Sequence, residues 1–357
     1  PMSTATQTKE LSYRKYIWLK WLTLVVMLGL MFVAVVLSLA AGSAALSIPE
    51  IVQALFLRGE EQARTIIWNV RMPRVATGIV VGLGLAMSGC IMQNVLRNSL
   101  ASASTLGVSQ GASFGAAVAI VFFEGGIQVG NTTANFAVTN PSLVSFCAFV
   151  FGMATTLIIL FISKIKRSNP ATMVLAGVAL SNIFTGMTTL IQYFVEDVKL
   201  ASMVYWTFGS LSRAGWGEIA LILATDILAF LVFYYNRLNY NAMEAGTNTA
   251  KSLGVPVDNL VFISMMLCAL TTSISVAFAG TIGFIGLIGP HIMRRFVGND
   301  YRFLIPCSAL SGAILVLMAD IASRSILPPT VLPIGALTSF LGAPLFLYLC
   351  LKGGKKK

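Results

Sequence analysis

The chain has 357 residues, of which 57% are hydrophobic and only 10% are charged, and its mean hydropathy is +0.84. In soluble domains roughly a quarter of all residues are charged, so this composition excludes a mostly water-facing surface and indicates a membrane protein. The net charge of +11 lies in short clusters between apolar segments rather than along one stripe, which argues against nucleic acid as a partner.

Ten apolar segments approach the length that an α-helix needs to cross a bilayer. The eighth is short and glycine-rich, which indicates a partial span, and the stretch between Asp197 and Arg213 is too short to cross and predicts a re-entrant or interfacial helix. We predict an all-α polytopic membrane bundle in which residues 1–357 form one domain. The predicted spans are Trp21–Ala41, Val75–Met92, Thr105–Phe123, Pro141–Ser163, Ala171–Phe194, Trp216–Tyr235, Leu260–Phe278, Ile282–Phe296, Phe303–Ile321 and Pro333–Leu351.

Lysine and arginine are distributed unevenly between the two sides of this bundle. With the N-terminus inside, seventeen of the 24 basic residues lie on the cytoplasmic side, which obeys the positive-inside rule. The even number of spans then places both termini in the cytoplasm, together with residues 1–20, the loop 239–259 and the basic tail 352–357. The first segment is too long for a signal-peptide core and is interpreted as a span. The basic residues left outside are Arg58, Arg64, Arg71, Arg74, Lys199, Arg213 and Arg324.

Small residues recur at regular spacing in the eighth segment. Gly280, Gly283, Gly286 and Gly289 occupy every third position of GTIGFIGLIGPHIMRR. Small residues on one side of a helix let neighbouring backbones approach, so close packing is the simpler interpretation and flexibility for gating is the functional alternative. Pro290 is expected to kink or break the same helix.

Ionisable side chains are scarce inside the predicted spans. Asp226 lies midway along the sixth span and Asp320 near the outer end of the ninth, and such residues are candidates for an ion or proton pathway. Two isolated aspartates make a poor relay, which weakens the hypothesis of an ion-coupled carrier without removing it. His291 is the only histidine, so a histidine-cluster metal site is excluded. The five cysteines lack metal-ligand or redox spacing and are expected to pack in the interior.

Three arginines stand on the outer side, against the general charge bias. Arg71 and Arg74 directly precede the second span, and Arg324 follows the ninth. Arginines at a membrane edge reach lipid phosphates, or they offer bidentate sites for the carboxylates of an acidic partner or ligand. The sequence leaves both interpretations open.

The loop 239–259 predicts two short helices outside the membrane. Its sequence AMEAGTNTAKSLGV contains Glu244 and Lys251, then Gly254 as a helix stop, with Pro256 beyond it. GTNTAKS is only superficially like a phosphate-binding loop, because Ala250 occupies the position of a glycine and the spacing is one residue short. With no phosphate loop elsewhere in the sequence, any ATP hydrolysis is expected on another chain.

Several short motifs, taken in order, resemble one family. RMPR is followed by LAMSGCIMQNVLRNSLA and TLGVSQGASFG, and then by VLAGVALSN and WTFGSL. SLGVPV, AGTIGFIGLIGPHIMRRFVGND, ADIASR and LPIGALTSFLGAPLF complete the series. Their order and spacing, over nearly the whole chain from about Arg71, resemble the permease subunits of the FecCD family, the type II ABC importers for iron–siderophores, haem and vitamin B12.

The resemblance implies partners and residue roles. Two copies would pair around a pathway lined by the fifth span, the short helix after it and the tenth span, with two ATPase subunits beneath and a periplasmic or lipid-anchored substrate-binding protein above. ATP and Mg would belong to the ATPase subunits, and no cofactor to this chain. The matching positions are Arg71, Arg74 and Arg324 for docking of binding-protein glutamates, Glu244, Ala245, Gly246, Ala250, Leu253 and Gly254 for ATPase coupling, and Asn98 and Leu100 for the cytoplasmic gate.

Three places depart from the family pattern. Ser99 stands where the family usually has proline, and Val331 stands where a glutamate often precedes the last span. The segment Ala101–Ser104 also lacks the usual acidic–proline ending. The inner gate and the outer rim are therefore expected to differ in detail from those of typical members.

The sequence thus predicts a non-enzymatic permease subunit of a binding-protein-dependent ABC importer, in a bacterial or archaeal cytoplasmic membrane. Its expected cargo is a metal chelate of the iron–siderophore, haem or cobalamin class, and an oxyanion such as molybdate stays open. A self-contained ion-coupled carrier that depends on Asp226 is one alternative of a different kind. A scaffold subunit without transport is another.

Overall fold

The structure, a computed structural model, describes residues 2–42, 47–123, 127–129, 136–138, 140–166, 170–328 and 330–353. These residues are mostly helical, with a π-helical turn at Ile67–Arg71 and a small antiparallel hairpin of β1 (Ile127–Val129) and β2 (Phe136–Val138). The helices are α1 (Met2–Ala40), α2 (Ile48–Leu55), α3 (Glu61–Ile66), α4 (Met72–Val95), α5 (Val108–Phe122), α6 (Pro141–Lys166), α7 (Pro170–Phe194), α8 (Asp197–Thr207), α9 (Trp216–Tyr235), α10 (Arg237–Glu244), α11 (Thr247–Ser252), α12 (Val257–Ala279), α13 (Ile285–Val297), α14 (Tyr301–Ser325) and α15 (Ile334–Gly353).

Within the described residues, seven helical segments are long and apolar enough to cross a membrane. These are α1, the continuous run from α3 through α4, and α6, α7, α9, α12 and α14. The shorter α5, α13 and α15 coincide with the remaining three predicted spans, and α8 with the predicted interfacial helix. The predicted all-α membrane bundle is therefore confirmed.

The predicted cytoplasmic segments are described only in part. α1 is helical from Met2, so the described part of the segment 1–20 continues directly into the first span. The loop 239–259 contains α10 and α11, the two short helices that its sequence predicts. Residues 354–357 of the predicted basic tail lie outside the described residues.

The helix α4 lies at the centre of the bundle, because α9, α12, α13 and α14 all pack against it. Two of these contacts depend on glycine. A Cβ added to Gly89 would overlap the carbonyl oxygen of Gly286 on α13, and one added to Gly82 would lie 2.6 Å from the Cα of Ala313 on α14. In both contacts the added Cβ would meet backbone atoms, so the missing side chains are what allow these helices to touch.

The four regularly spaced glycines do not form one stripe along a helix, so the predicted close packing holds only for the two that lie on α13. α12 ends at Ala279 and α13 begins only at Ile285, so Gly280 and Gly283 lie in the turn between them. Gly280 has a φ of +77°, which L side chains rarely adopt, and a Cβ there would lie 2.7 Å from the Cα of Gly209. A tight turn, rather than helix packing, therefore requires glycine at this position.

Pro290 does not break α13, which continues to Val297. A proline has no N–H, so the carbonyl oxygen of Gly286 loses its helical donor. The side-chain Nε2 of Gln93 on α4 donates to that oxygen at 3.1 Å, and the Oε1 of Gln93 accepts from Arg294. A neighbouring helix thus replaces the missing hydrogen bond, and the predicted break does not occur.

Candidate functional site

A groove of about 550 Å³ lies between α5, α7 and the turn that precedes α13. Residues from the ends of α8 and α15 complete its wall. The resemblance implied α7, α8 and α15 as lining elements, and the structure adds α5 and the turn. No described residue that lines the groove is ionisable. Its polar side chains are the hydroxyls and amides of Ser104, Thr105, Ser109, Gln110, Ser113, Thr185, Thr188, Thr189, Gln192, Thr207, Thr281 and Ser339.

Several hydroxyl hydrogens in this groove are already used by the backbone. Thr185, Thr188 and Thr189 donate to the carbonyl oxygens four residues earlier at 2.8, 2.8 and 2.9 Å, and Ser113 does the same at 3.0 Å. A carbonyl oxygen can only accept, so the hydrogen of each hydroxyl is engaged in this bond. The lone pairs of the hydroxyl oxygen remain available to accept a hydrogen bond from a ligand. The side-chain oxygen of Gln110 is buried without a hydrogen-bond partner. The wall therefore offers more acceptors than donors.

The turn between α4 and α5 adjoins the groove. The Oδ1 of Asn98 accepts from the N–H of Leu100 at 2.9 Å, and the hydroxyl of Thr105 donates to the carbonyl oxygen of Leu100 at 3.3 Å. Leu100 is 48% exposed, and Ser99 beside it is also exposed. Both implied gate positions are thus connected to the groove wall through Thr105.

Arg71, Arg74 and Arg324 come together at the opposite end of α4 from this turn. Asp320 is fully buried, and its carboxylate pairs with the Nε of Arg74 and with Arg324, both at 2.7 Å. The hydroxyl of Ser212 accepts from Arg74 at 3.1 Å. The sequence placed these arginines on one side of the membrane, but it did not identify Asp320 as the group that binds two of them.

Two of these arginines also cap the end of α1. Arg71 donates to the carbonyl oxygen of Leu39 at 2.6 Å, and Arg324 donates to that of Ser38 at 3.0 Å and to that of Ala41. The last carbonyl groups of a helix lack backbone partners and carry the negative end of its dipole. Guanidinium groups therefore stabilise this helix terminus.

All but one of the predicted coupling residues lie at the surface around α10 and α11. The turns on either side of α11 use Gly246 and Gly254, whose φ values are +122° and +83°. Ala250 is fully buried beneath this surface, whereas Leu253 is 69% exposed. The other residues of the set lie at or beside the surface: Glu244, Ala245, Gly246 and Gly254.

Lys20 and Asp300 form a second polar centre that the sequence analysis missed. Lys20 is only 2% exposed, and its Nζ lies 3.2 Å from the Oδ2 of Asp300. Burial alone would raise the pKa of Asp300, but hydrogen bonds from Arg302 and Lys20 outweigh it and hold that pKa well below its ordinary value. One signal was available, since an aspartate directly before an apolar segment is a typical helix N-cap.

Asp226 lies in the middle of α9 and faces Gly84 of α4 rather than the groove. It is 4% exposed, and neither of its carboxylate oxygens has a hydrogen-bond partner. Within the described residues, no group of three His, Cys, Asp or Glu side chains is placed to hold a metal ion. Cys90, Cys147 and Cys268 are free, as is Cys307.

Comparisons with known proteins agree with this architecture. The model of the FecCD transport family matches residues 30–352. A Methanocaldococcus jannaschii protein, provisionally named an ABC transporter permease protein, is 46% identical over 96% of this chain and 98% of its own length. The hemin transport system permease protein HmuU of Yersinia pestis is 35% identical over 91% of this chain and 95% of its own length.

A solved structure is similar as well. It is provisionally described as a metal-chelate type ABC transporter in an inward-facing conformation, and it is 30% identical to this chain. The match covers 92% of this chain and 98% of the other, with a TM-score of 0.79. Sequence and structure comparisons therefore identify the same kind of protein.

Proposed function

The chain belongs to the FecCD transport family, and we propose that it is the permease subunit of a binding-protein-dependent ABC importer that moves a metal chelate into the cytoplasm. The observation that carries this proposal is the uncharged, hydroxyl-rich groove between α5 and α7. ATP and Mg belong to two separate ATPase subunits. The protein lies in a bacterial or archaeal cytoplasmic membrane with both termini inside.

Two copies of the chain complete the pathway. α7 lines the groove, yet only 11% of the most apolar part of this helix is buried. In the continuous helical segment that contains α4, the corresponding share is 83%. A second copy that faces α7 would enclose the groove and cover this exposed side, as expected for a two-fold symmetric dimer.

The chemistry of the wall favours a chelate over an oxyanion as cargo. An oxyanion is bound by N–H groups or cations, and the groove offers neither an ionisable side chain nor a surplus of donors. Hydroxyl oxygens such as those of Thr185 and Thr188 instead accept from the hydroxyl or amide groups on the outside of a chelate. The binding protein selects the cargo, and the groove lets it pass.

The two ends of the chain are proposed to meet different partners. Arg71, Arg74 and Arg324 receive glutamates of the binding protein. Together with Asp320 they carry a formal charge of +2, and Arg74 is the most accessible of the three at 13% exposure. A carboxylate from the partner would take the place of Ser212 on Arg74.

The surface of α10 and α11 is proposed to contact the ATPase subunits. Leu253, at 69% exposure, supplies an apolar contact and Glu244 a charged one. Asn98 and Leu100 form the cytoplasmic gate, because they adjoin the groove through Thr105.

Reconstitution in liposomes tests this function. The chain together with its ATPase subunits and binding protein is expected to take up a ferric hydroxamate or hemin only when ATP is present. Omission of the ATPase subunits should abolish uptake, and the chain alone should hydrolyse no ATP. Uptake by the chain alone would instead support an ion-coupled carrier. The structure does not favour a carrier, because no described residue of the groove is ionisable and Asp226 faces α4 instead.

A further inference from the structure

The helices α1 and α14 pack side by side and are fastened to each other at one end by a buried ion pair. The Nζ of Lys20 lies 3.2 Å from the carboxylate of Asp300, which caps the start of α14. The same ammonium group lies 5.5 Å from the ring centre of Phe303, and Trp21 packs edge-on against that ring at 5.5 Å. A charge, a cation–π contact and an aromatic pair thus fix one end of the helix pair.

The same two helices are fastened again at the other end. Arg324 on α14 donates to the carbonyl oxygen of Ser38 at 3.0 Å and to its hydroxyl at 2.9 Å, and it also reaches the carbonyl oxygen of Ala41. Arg324 is held on its own helix by Asp320 at 2.7 Å. Because both ends are tied, the helices cannot slide along each other without breaking charged contacts in a buried place.

The inner end of this pair is also tied to α10. Asn241 donates to the Oδ1 of Asp300 at 3.3 Å and accepts from the N–H of Tyr301 at 2.8 Å. Asn299, directly before Asp300, donates to Glu244 at 2.6 Å. Three hydrogen bonds therefore connect the proposed ATPase-facing surface to the residues that start α14.

We propose that α1 and α14 act as one strut that carries movement between the ATPase subunits and the binding protein, and that Lys20 and Asp300 are the positioning residues at its inner end. This inference rests on the proposed function. α14 has 25 residues, which at a rise of 1.5 Å per residue gives about 37 Å, the span of a membrane. A displacement of α10 moves Asp300, and the doubly fastened pair moves the Asp320–Arg324 end with it.

The test measures the coupling between the two faces. If nucleotide on the ATPase subunits changes the affinity for the binding protein by some factor, the binding protein changes the affinity for nucleotide by the same factor, typically about 5–150-fold. The experiment uses the complete complex in nanodiscs and measures the affinity of labelled binding protein with and without a non-hydrolysable ATP analogue. The ratio of the two affinities is expected to fall towards 1 in Asp300→Asn and in Lys20→Met, and to recover in Asp300→Glu.

One control variant and one fallback variant complete the test. Asp258→Asn removes an exposed carboxylate in the first turn of α12 and is expected to leave the ratio unchanged. Lys20→Met keeps the contacts of Arg302 and Asn241 with Asp300. This variant is therefore used if Asp300→Asn fails to assemble with the ATPase subunits.

The outcomes separate the two proposals. An unchanged ratio in both Asp300→Asn and Lys20→Met would overturn the strut while leaving the importer function intact. A wild-type complex whose binding-protein affinity does not respond to nucleotide, and whose uptake does not require ATP, would contradict the proposed function itself.

Discussion

Gly89 illustrates how single atoms decide the packing of this bundle. A Cβ at this position would overlap the carbonyl oxygen of Gly286 across the contact between α4 and α13. The obstacle is backbone rather than the end of a flexible side chain, so the neighbour cannot turn away. Overpacking of this kind costs roughly 1–3 kcal/mol.

We therefore expect Gly89→Ala to lower the melting temperature of the purified protein, because the added methyl group strains the contact between α4 and α13. Gly29→Ala is the matched control, because nothing lies within 4 Å of a Cβ added on that part of α1. It should leave the melting temperature equal or slightly higher, since alanine is the better helix former. Equal melting temperatures for the two variants would contradict the close helix contact.

Two buried aspartates are expected to respond in opposite ways to the same substitution. Asp226 has no hydrogen-bond partner, so Asp226→Asn removes a group that is costly to bury and should reduce neither stability nor uptake. Asp320→Asn leaves Arg74 and Arg324 without their shared counter-charge, and breaking a buried pair costs about 3–5 kcal/mol. Thermal unfolding and liposome uptake of both variants test this expectation. If Asp226→Asn lost uptake while Asp320→Asn kept it, the result would support the ion-coupled carrier.

At the scale of elements, α13 remains continuous because α4 completes it. The Nε2 of Gln93 supplies the hydrogen bond that Pro290 cannot give to Gly286. Gln93→Leu should therefore destabilise the protein by about 1–3 kcal/mol, the cost of an unsatisfied buried acceptor.

A double-mutant cycle isolates this contact. Pro290→Ala restores the helical donor to Gly286, so Gln93→Leu should cost less in that background than in the wild type. Equal costs in both backgrounds, measured by chemical unfolding, would show that Gln93 acts through Arg294 alone.

The pair of α1 and α14 predicts a dependence of stability on pH. The pKa of Asp300 is depressed, so its stabilisation is complete above the unfolded value of about 3.9 and is lost as the pH falls towards the folded value. The difference in melting temperature between wild type and Asp300→Asn should be constant from about pH 6 to 8 and shrink below about pH 4. A difference that stays constant from about pH 6 down to about pH 3 would contradict this ion pair.

At the scale of the whole molecule, the two charged ends are proposed to face different partners. Arg74→Glu should weaken capture of the binding protein, and more at low salt than at high salt, because salt screens the attraction between two approaching protein surfaces. Arg58→Glu changes an exposed arginine that lies outside the cluster and should have a small effect. A pull-down at two salt concentrations measures both, and equal effects of the two variants would remove the docking role from Arg74.

The sequence by itself determined the spans, the two short helices of the loop 239–259 and the location of the three arginines at the same end of the bundle. Lipid supplies no hydrogen bonds, so a long apolar segment has to be a helix wherever its neighbours lie. The sequence did not determine that Arg71 and Arg324 cap α1, that Lys20 binds Asp300 or that Gln93 replaces the bond missing at Pro290. Lys20 and Asp300 are 280 positions apart, and local periodicity carries no information about a contact that only the packing of α1 against α14 creates.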